Sequence, residues 1–227
     1  MRIGIAIDGV LRDFFSQLAY VHGKYIAEIS QRQIEAGEDP EALIRELNIS
    51  DKNAPNYTPF TDYADMEDFF SFEGIDEMND FLYKKAALEI FGQADITYPS
   101  IVNQFNNFLM EMEDEGEHEI ILVSREALVS IPSTYFFLSK TVCKVKNIRF
   151  YTKFEDKWND VDVLITANPR VLAAKPDGKI GVKCKTHYNE SASTDFEIES
   201  LKDFMLDEEL RNAILNTEIT DYEEITD

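Results

Sequence analysis

The sequence has little cysteine, no long apolar run and few basic residues. Two cysteines, Cys143 and Cys184, occur in 227 residues, and no CxxC or close His/Cys spacing accompanies them, which argues against a disulfide framework and a zinc site. No run approaches the roughly 18 consecutive apolar residues of a membrane-spanning helix. The N-terminus, MRIGI, enters a strand-like run directly and lacks the architecture of a signal peptide. These absences predict an intracellular protein.

Basic residues are half as numerous as acidic ones, with 22 Lys+Arg against 44 Asp+Glu and a formal net charge of −22. A chain this negative is not expected to bind nucleic-acid phosphates or anionic lipids non-specifically. Hydrophobic residues nevertheless make up 44% of the chain, and aromatic residues 12%. At this length that is enough to bury a core, which excludes wholesale disorder.

The charge is unevenly distributed along the chain. Acidic residues concentrate in 60–81, which has no base, in 111–119 and in 195–227, whereas 140–185 holds eleven of the 22 bases and only five acids. Aromatic residues interleave the acids of 57–72. Such asymmetry is typical of surfaces with different partners, but solvated faces that pair within one fold would produce it too. The segment 57–72 is accordingly either a docking surface or a cap whose phenylalanines fold inward.

Strand and helix patterns alternate along much of the sequence. Short apolar strands are predicted at 2–7, 119–123, 145–151, 161–165 and 179–184. Helices are predicted at 13–36, 41–47, 76–91, 99–115, 132–140 and 169–174, and 48–75 is predicted to be otherwise irregular. The alternation of strands with helices favours right-handed βαβ units. It predicts an α/β fold with a Rossmann-like, doubly wound parallel sheet.

The strand-poor stretch 14–98 follows the first strand, and we interpret it as a mainly helical, cap-type insertion. Residues 1–13 and 99–190 then form the α/β core. The remaining residues, 191–227, are predicted to be an acidic, helical C-terminal tail.

Polar residues at three strand ends are the candidates for chemistry, because open parallel sheets bind ligands at the carboxyl ends of their strands. The first strand ends in AIDGVLRD, which contains Ala6 and Asp8. The second ends in LVSR, which contains Ser124. The third ends in ITANP, which contains Thr166 and Ala167.

These strand ends resemble the motifs of the haloacid dehalogenase (HAD) superfamily, and within it the 5′(3′)-deoxyribonucleotidase-like branch. The family's first motif reads Asp-x-Asp-Gly-[Thr/Val]-Leu, and Ile7–Leu11 matches it from the middle onward. Ser124 matches the Ser/Thr of the second motif. Lys157, or less well Lys153, matches the lysine of the third, and Asn168-Pro169 matches the flank of the fourth. The resemblance implies a phosphatase-type core with a cap.

The resemblance also shows where this sequence departs from the family. Ala6 stands at the position of the nucleophilic aspartate, and a methyl group can neither attack phosphorus nor bind a metal. Thr166 and Ala167 stand where the family has the acidic pair that holds Mg²⁺. Asp8, the general acid/base of the family, is retained. General acid–base help contributes about 10²–10⁴-fold, whereas phosphate-ester hydrolysis needs up to about 10²¹-fold.

We therefore expect a catalytically inactive protein with no cofactor and no bound metal, in which Asp8, Ser124 and Lys157 are vestigial motif positions. Asp8 either caps nearby backbone N–H groups or remains a residual acid/base. Ser124 either forms the turn or binds an anion, and Lys157 either pairs with Asp8 or neutralises an anion. The histidines, His22, His118 and His187, share no spacing typical of a metal site.

The leading functional prediction is a structural or interaction subunit with protein partners or further copies of itself. Because proteins of this branch are often carried by bacteriophages, a virion component such as a ring, neck or tail-associated protein is one form, found in the host cytoplasm and the virion. Two alternatives remain. One is a Mg²⁺-dependent nucleotide or small-phosphate phosphatase. The other is a phosphate- or nucleotide-binding regulator that uses Ser124, Lys157 and the basic stretch 140–185.

Overall fold

Residues 1–35, 70, 72 and 74–217 are described by the computed structural model of the chain. Several parts of the chain lie outside the described residues. They include the helix predicted at 41–47, most of the acidic-aromatic segment 57–72 and the end of the acidic tail. Within the described part, no helix combines the length and the apolar content needed to cross a membrane.

A sheet of parallel strands forms the centre of the described structure. The strands follow the spatial order β3-β2-β1-β4-β5-β6, and each pair of neighbours is parallel. Their bounds are β1 (Arg2–Ala6), β2 (Glu119–Arg125), β3 (Asn147–Tyr151), β4 (Val163–Thr166), β5 (Ile180–Cys184) and β6 (Phe196–Ile198). The central strands read as continuous apolar runs because both of their faces are covered by other parts of the chain. The predicted Rossmann-like α/β sheet is confirmed.

Helices connect the strands and flank the sheet. Their bounds are α1 (Phe14–Glu35), α2 (Ile75–Asp80), α3 (Ile101–Glu115), α4 (Ile131–Lys140), α5 (Pro169–Ala173), α6 (Leu201–Leu206) and α7 (Glu208–Leu215). The single helix predicted at 76–91 is instead α2 followed by two π-helical turns, Phe81–Lys85 and Leu88–Gly92. A 3₁₀ turn at Glu155–Trp158 was not predicted.

The segment predicted as a helical tail also contributes to the sheet. Its strand β6 has only three residues, too few for a strand period to show in the sequence. The strand is held in place by its flank, where the Asp195 carboxylate accepts a hydrogen bond from Gly181 N at 2.7 Å. Helix α6 then begins with a capping box between Ser200 and Asp203. The division of the chain into core, insertion and tail stays a prediction.

Buried apolar residues form two clusters. The larger one surrounds the sheet, and it includes Ile3, Ile5, Val123 and Ile165. The second lies between β1 and β2 in the sequence and packs α1 against the segment from α2 to the second π-helical turn. Its members include Leu18, Met78, Leu82, Ile90 and Phe91. The site described below lies where Phe14 and Phe91 of this second cluster meet the sheet.

His22 is buried among aromatic rings of the second cluster. Its ring centroid lies 5.3 Å from that of Phe70, 5.1 Å from that of Phe72 and 5.8 Å from that of Phe81. Burial lowers the pKa of His22 from 6.5 to about 4, against the opposing effect of a backbone hydrogen bond at Phe70. Because the folded pKa lies below the unfolded one, stability is intact above pH 6.5 and is lost as the pH falls toward 4.

We expect His22 to make the free energy of unfolding about 2 kcal/mol smaller at pH 5 than at pH 7. A His22→Phe variant should lack this part of the pH dependence, whatever its stability at pH 7. Denaturant titrations of the wild type and the variant at pH 7, 6 and 5 measure the difference, with His118→Phe as the matched control. Equal pH dependence in the wild type and His22→Phe would contradict the assignment.

Candidate functional site

Three strand ends meet at the carboxyl edge of the sheet. Strand β1 lies between β2 and β4, so Asp8, Ser124 and Thr166 come together there although they are far apart in sequence. This is the point where the strand order reverses, since β2 and β3 lie on one side of β1 and β4 to β6 on the other. Open α/β sheets bind their ligands at such a point.

A tight turn after β1 places two charged side chains side by side. The backbone N–H groups of Leu11 and Arg12 both donate to Ile7 O, at 3.0 and 2.9 Å, and Gly9 N donates to Arg12 O at 2.9 Å. Gly9 has a φ of 75°, and a Cβ there would lie 2.8 Å from both Ala167 Cβ and the Tyr188 hydroxyl. Glycine is therefore required at this position. The turn lets Arg12 Nε donate to Asp8 Oδ1 at 2.7 Å.

Arg12 is fully buried and hydrogen-bonded through all three of its guanidinium nitrogens. Besides the bond to Asp8, Nη1 donates to Phe91 O at 2.9 Å and to Thr134 Oγ1 at 2.6 Å, and Nη2 donates to Glu126 Oε1 at 3.0 Å. Sequence reasoning missed Arg12. The signal available was a basic residue four positions after Asp8 in an otherwise apolar turn.

Glu126 is the second carboxylate of this network, and it is also buried. Its Oε1 accepts hydrogen bonds from Arg12, from Ser124 Oγ at 2.9 Å and from the Thr134 hydroxyl, and its Oε2 accepts one from Ser130 Oγ at 3.3 Å. Burial raises the pKa of Glu126, and the charge of Arg12 opposes that rise. Ser124 therefore donates to Glu126 and stands beside Asp8, with 3.5 Å between Ser124 Oγ and Asp8 Oδ2.

Lys157 lies on the 3₁₀ turn after β3 and is only 4% exposed. Trp158 anchors the turn by donating from Nε1 to Val171 O at 2.9 Å. Among the residues that the structure describes, none forms a hydrogen bond or an ion pair with the Lys157 ammonium group. Burial lowers its pKa from 10.5 to about 8, although the Asp8 carboxylate attracts the charge and opposes that shift. Lys153, the other candidate for the third motif, is exposed.

Asp8 and Lys157 line one small cavity. Its volume is about 40 Å³, and Arg125, Thr166 and Asn168 also line it. A buried water needs roughly 10–15 Å³ of such space, so the cavity has room for a group of a few heavy atoms, such as a phosphoryl group. Aromatic rings form the rest of the wall: Phe14, Phe15, Tyr83, Phe91, Phe154 and Tyr188.

Arg125 lines both this cavity and a larger one. Its Nη1 donates to the Tyr83 hydroxyl at 2.9 Å, its Nε donates to Thr152 O at 3.1 Å, and its guanidinium lies 4.5 Å from the centroid of the Phe154 ring. The neighbouring cavity has a volume of about 460 Å³ and shares Tyr83 and Arg125 with the smaller one. Burial raises the pKa of Tyr83 to about 12, so its hydroxyl stays protonated at neutral pH.

The remaining residues of the predicted motifs serve the local fold. Ala6 is 1% exposed within the sheet cluster, and Ala167 is buried against Gly9. Thr166 Oγ1 accepts a hydrogen bond from Asn168 N at 3.1 Å. Asn168 caps α5, because its Oδ1 accepts from the backbone N–H groups of residues 170 and 171 at 2.9 and 3.3 Å. The vestigial role predicted for Asp8, Ser124 and Lys157 is tested by none of these contacts.

The side chains around the cavity do not fit Mg²⁺, which prefers carboxylate oxygens. The alanines at positions 6 and 167 offer no ligand atom, and the Asp8 and Glu126 carboxylates are both bound by Arg12. In the described part of the chain, no group of three His, Cys, Asp or Glu side chains is placed to hold a metal ion. These side chains therefore do not support a step through Mg²⁺.

Comparison with known proteins gives matches in structure but not in sequence. No family model matches the chain, and no curated protein matches it either. The structure resembles a haloacid dehalogenase-like family hydrolase from Xanthomonas campestris, with 12% identity, a TM-score of 0.46 and coverage of 95% of this chain and 92% of that one.

Two further structures are similar to a comparable degree. A HAD phosphatase from Thermococcus onnurineus has 15% identity and a TM-score of 0.44, with 96% of this chain and 99% of that one covered. A phosphonoacetaldehyde hydrolase-like protein from Oleispira antarctica has 12% identity and a TM-score of 0.49, with 96% and 95% covered.

These comparisons count against one prediction of the sequence analysis. The expectation of a protein that is not an enzyme is contradicted by the descriptions of the similar solved structures, which are hydrolases, a hydrolase-like protein or a phosphatase, although similarity in fold alone assigns no activity to this chain. No observation on the described residues shows inactivity. The deoxyribonucleotidase-like branch, the bacteriophage setting, the protein partners and the intracellular location stay predictions. In fold, the chain is similar to haloacid dehalogenase-like hydrolases.

Proposed function

We propose that this chain is a hydrolase of small phosphate esters that works without a divalent metal at the cavity between Asp8 and Lys157. The observation that carries the proposal is Lys157, a side chain only 4% exposed at the cavity wall, whose ammonium group has no hydrogen-bond or ion-pair partner among the described residues. Burying an unpaired charge is costly. An anionic ligand in the cavity would offset that cost.

The charges around the cavity favour a phosphoryl group as that ligand. Lys157 and Arg125 are the basic residues of the wall, and Asp8 is its one acidic residue. Arg12 and Glu126 do not line this cavity, and the charges of this ion pair offset each other. The wall therefore carries a net positive charge, and its basic groups would stabilise the charge that develops on phosphoryl oxygens in the transition state.

Asp8 and Lys157 can exchange the protons that the hydrolysis requires. The Asp8 carboxylate accepts a proton from a water molecule as the water oxygen forms its bond to phosphorus. The bond from phosphorus to the ester oxygen breaks, the electron pair stays on that oxygen, and the Lys157 ammonium protonates it. The proton on Asp8 then returns to the Lys157 amine. The products are an alcohol and inorganic phosphate, and both side chains are regenerated.

The size of the cavity restricts what it holds. A volume of about 40 Å³ takes the phosphoryl group but not the rest of a substrate. The leaving group would extend past Arg125 and Tyr83 into the neighbouring cavity of about 460 Å³. Substrates with a small polar alcohol fit this arrangement.

Hydrolysis of a panel of phosphate monoesters in the presence of EDTA tests the proposal. We expect turnover by the wild type without added metal, and a fall of about 10²–10⁴-fold in Asp8→Asn, because the amide cannot accept the proton. Asp13→Asn is the matched control, since the Asp13 carboxylate caps α1 by accepting from Ser16 N at 3.4 Å and does not line the cavity. Turnover that appears only with Mg²⁺, or equal rates in the wild type and Asp8→Asn, would refute the mechanism.

The pH dependence of the reaction should follow Lys157. The ammonium group binds the anion and donates the proton, and its pKa is lowered to about 8. Because only the protonated form functions, we expect kcat/KM to decline above about pH 8. A pH profile measured between 6 and 10 with EDTA present checks this limb. A profile that stays flat to pH 10 would show that Lys157 is not the acid.

A binding protein for phosphate compounds is the second candidate. The aromatic wall of the cavity, with Phe14, Phe15 and Phe154 among its members, favours it because aromatic faces suit planar or apolar parts of a ligand. The same assays separate the two candidates. A binder retains inorganic phosphate and nucleotides at Lys157 but turns none of them over.

A further inference from the structure

We infer that Arg12 and Glu126 form a positioning pair that holds the Asp8 carboxylate with Oδ2 facing the cavity. Neither residue lines the small cavity, so neither touches a phosphoryl group there, although Glu126 is among the residues that line the larger cavity. Their effect on the reacting phosphoryl group has to pass through Asp8. The kinetic consequence rests on the proposed function, whereas the structural consequence, the orientation of Asp8, can be tested without it.

The geometry leaves one oxygen of Asp8 held and the other available. Arg12 Nε binds Oδ1 at 2.7 Å, while Oδ2 lies 3.5 Å from Ser124 Oγ, beyond a good hydrogen bond. The Asp8 side chain is 25% exposed, whereas that of Arg12 has no exposure. The buried guanidinium therefore fixes the carboxylate from behind and leaves Oδ2 as its proton acceptor.

The guanidinium itself cannot rotate without loss of several contacts. Its Nη1 donates to Phe91 O and Thr134 Oγ1. Its Cζ lies 4.9 Å from the centroid of the Phe91 ring and 5.4 Å from that of the Phe137 ring. A planar group with donors in fixed directions is needed to bind these partners together with Asp8. A lysine at this position would keep the charge but not the directions.

Glu126 forms an ion pair with Arg12 and offsets the cost of burying its guanidinium group. An isolated guanidinium at this depth would be strongly destabilised, and Glu126 supplies the compensating carboxylate. Because Arg12 is bound to Glu126 as well as to Asp8, its attraction is divided between the two. The hydroxyl groups of Ser124, Ser130 and Thr134 in turn hold Glu126 in place.

Arg12→Lys and Glu126→Gln test the pair, and Glu197→Gln is the control because it removes the carboxylate partner of another buried base, Lys183, outside the cavity. For Arg12→Lys we expect kcat to fall about 10²-fold with KM within threefold of the wild type. We also expect its crystal structure to show the Asp8 carboxylate turned away from Ser124. The control should match the wild type in both measurements.

Glu126→Gln should change the pH profile as well as the rate. The charged groups that act on Lys157 are Asp8, Arg12, Arg125 and Glu126, and the charge of Glu126 raises the pKa of Lys157. Its removal should move the basic limb of the kcat/KM profile to lower pH. The side chain keeps its shape and its acceptor oxygen, so this variant decides the kinetic question if Arg12→Lys does not fold.

Each outcome either supports or overturns the inference. Wild-type kcat in Arg12→Lys, or Asp8 in its original orientation in the crystal structure of that variant, would overturn it. So would a wild-type kcat in Glu126→Gln. If the wild type hydrolyses no ester, the proposed function fails, and the orientation of Asp8 in the two variant structures alone decides between a positioning pair and a merely structural one.

Discussion

Replacing Lys157 by methionine is expected to remove activity and to make the protein more stable at the same time. Loss of a charged group that stabilises the transition state typically costs about 10²–10³-fold, and here the same group would also bind the substrate and donate a proton. Hydrolysis should therefore fall by at least that factor, and binding of inorganic phosphate should be lost. Steady-state kinetics with EDTA and calorimetric titration with phosphate measure the two effects.

The gain in stability follows from the cost of burying the ammonium group. The pKa of Lys157 is about 8 in the folded chain and 10.5 ordinarily, a difference of about 3 kcal/mol against the charged folded state. Because the folded pKa is the lower one, this penalty is complete below pH 8 and disappears as the pH rises through 10.5. Methionine has no charge to desolvate and fills similar space, so denaturant titration at pH 7 should show a gain of up to that size.

Lys153→Met is the matched control, because Lys153 is the exposed alternative for the same motif position. It should change neither activity nor stability appreciably. If Lys157 is only a counter-ion for Asp8, Lys157→Met will be less stable than the wild type. That result would contradict the assignment of Lys157 to an anionic ligand.

Arg12→Met is expected to destabilise the protein by about 3–5 kcal/mol at pH 7, the cost of leaving a buried carboxylate without its partner. The side chains of Arg12 and Glu126 are both fully buried, with 3.0 Å between Nη2 and Oε1. The double variant Arg12→Met/Glu126→Gln should recover part of the loss, because it removes the unpaired charge. Chemical denaturation of the wild type, both single variants and the double variant measures the coupling.

The loss in Arg12→Met should also depend on pH in a definite direction. Burial already raises the pKa of Glu126, and without Arg12 nothing comparable opposes that rise. A raised folded pKa gives stability that is complete below the unfolded pKa and is lost as the pH rises. Arg12→Met should therefore approach wild-type stability near pH 4 and fall behind it toward pH 7. If the loss of stability in Arg12→Met does not depend on pH, it comes from lost packing contacts and not from the unpaired charge of Glu126.

The sheet and the strand ends were predictable because their signals are local. Continuous apolar runs predicted β1, β2 and β4, and the rule that ligands bind at the carboxyl ends of parallel strands brought Asp8 and Ser124 to one edge. The sixth strand was not predictable by the same means. Its three residues are too few for an alternating apolar pattern to show in the sequence. The position of β6 in the sheet depends on hydrogen bonds from the loop before it.

The parts of the site that were missed depend on contacts between distant segments. Nothing in the sequence links Arg12 to Glu126 or Thr134. The three residues come into contact only because α4 and the second π-helical turn pack against the turn after β1. Sequence reasoning left Lys157 open between an anion and Asp8. Its burial without a direct partner among the described residues favours the anion. The prediction of inactivity rested mainly on the missing carboxylates at positions 6, 166 and 167, and the descriptions of the solved structures of similar fold contradict it.

Titration of the lysine side chains by NMR, with and without inorganic phosphate, tests the central claim most directly. In protein labelled with ¹³C at lysine Cε, one resonance, absent from Lys157→Met, should titrate near pH 8. Phosphate in the cavity would favour the ammonium form, so this resonance should titrate at higher pH when phosphate is bound. A Lys157 titration that does not change in saturating phosphate would contradict the account.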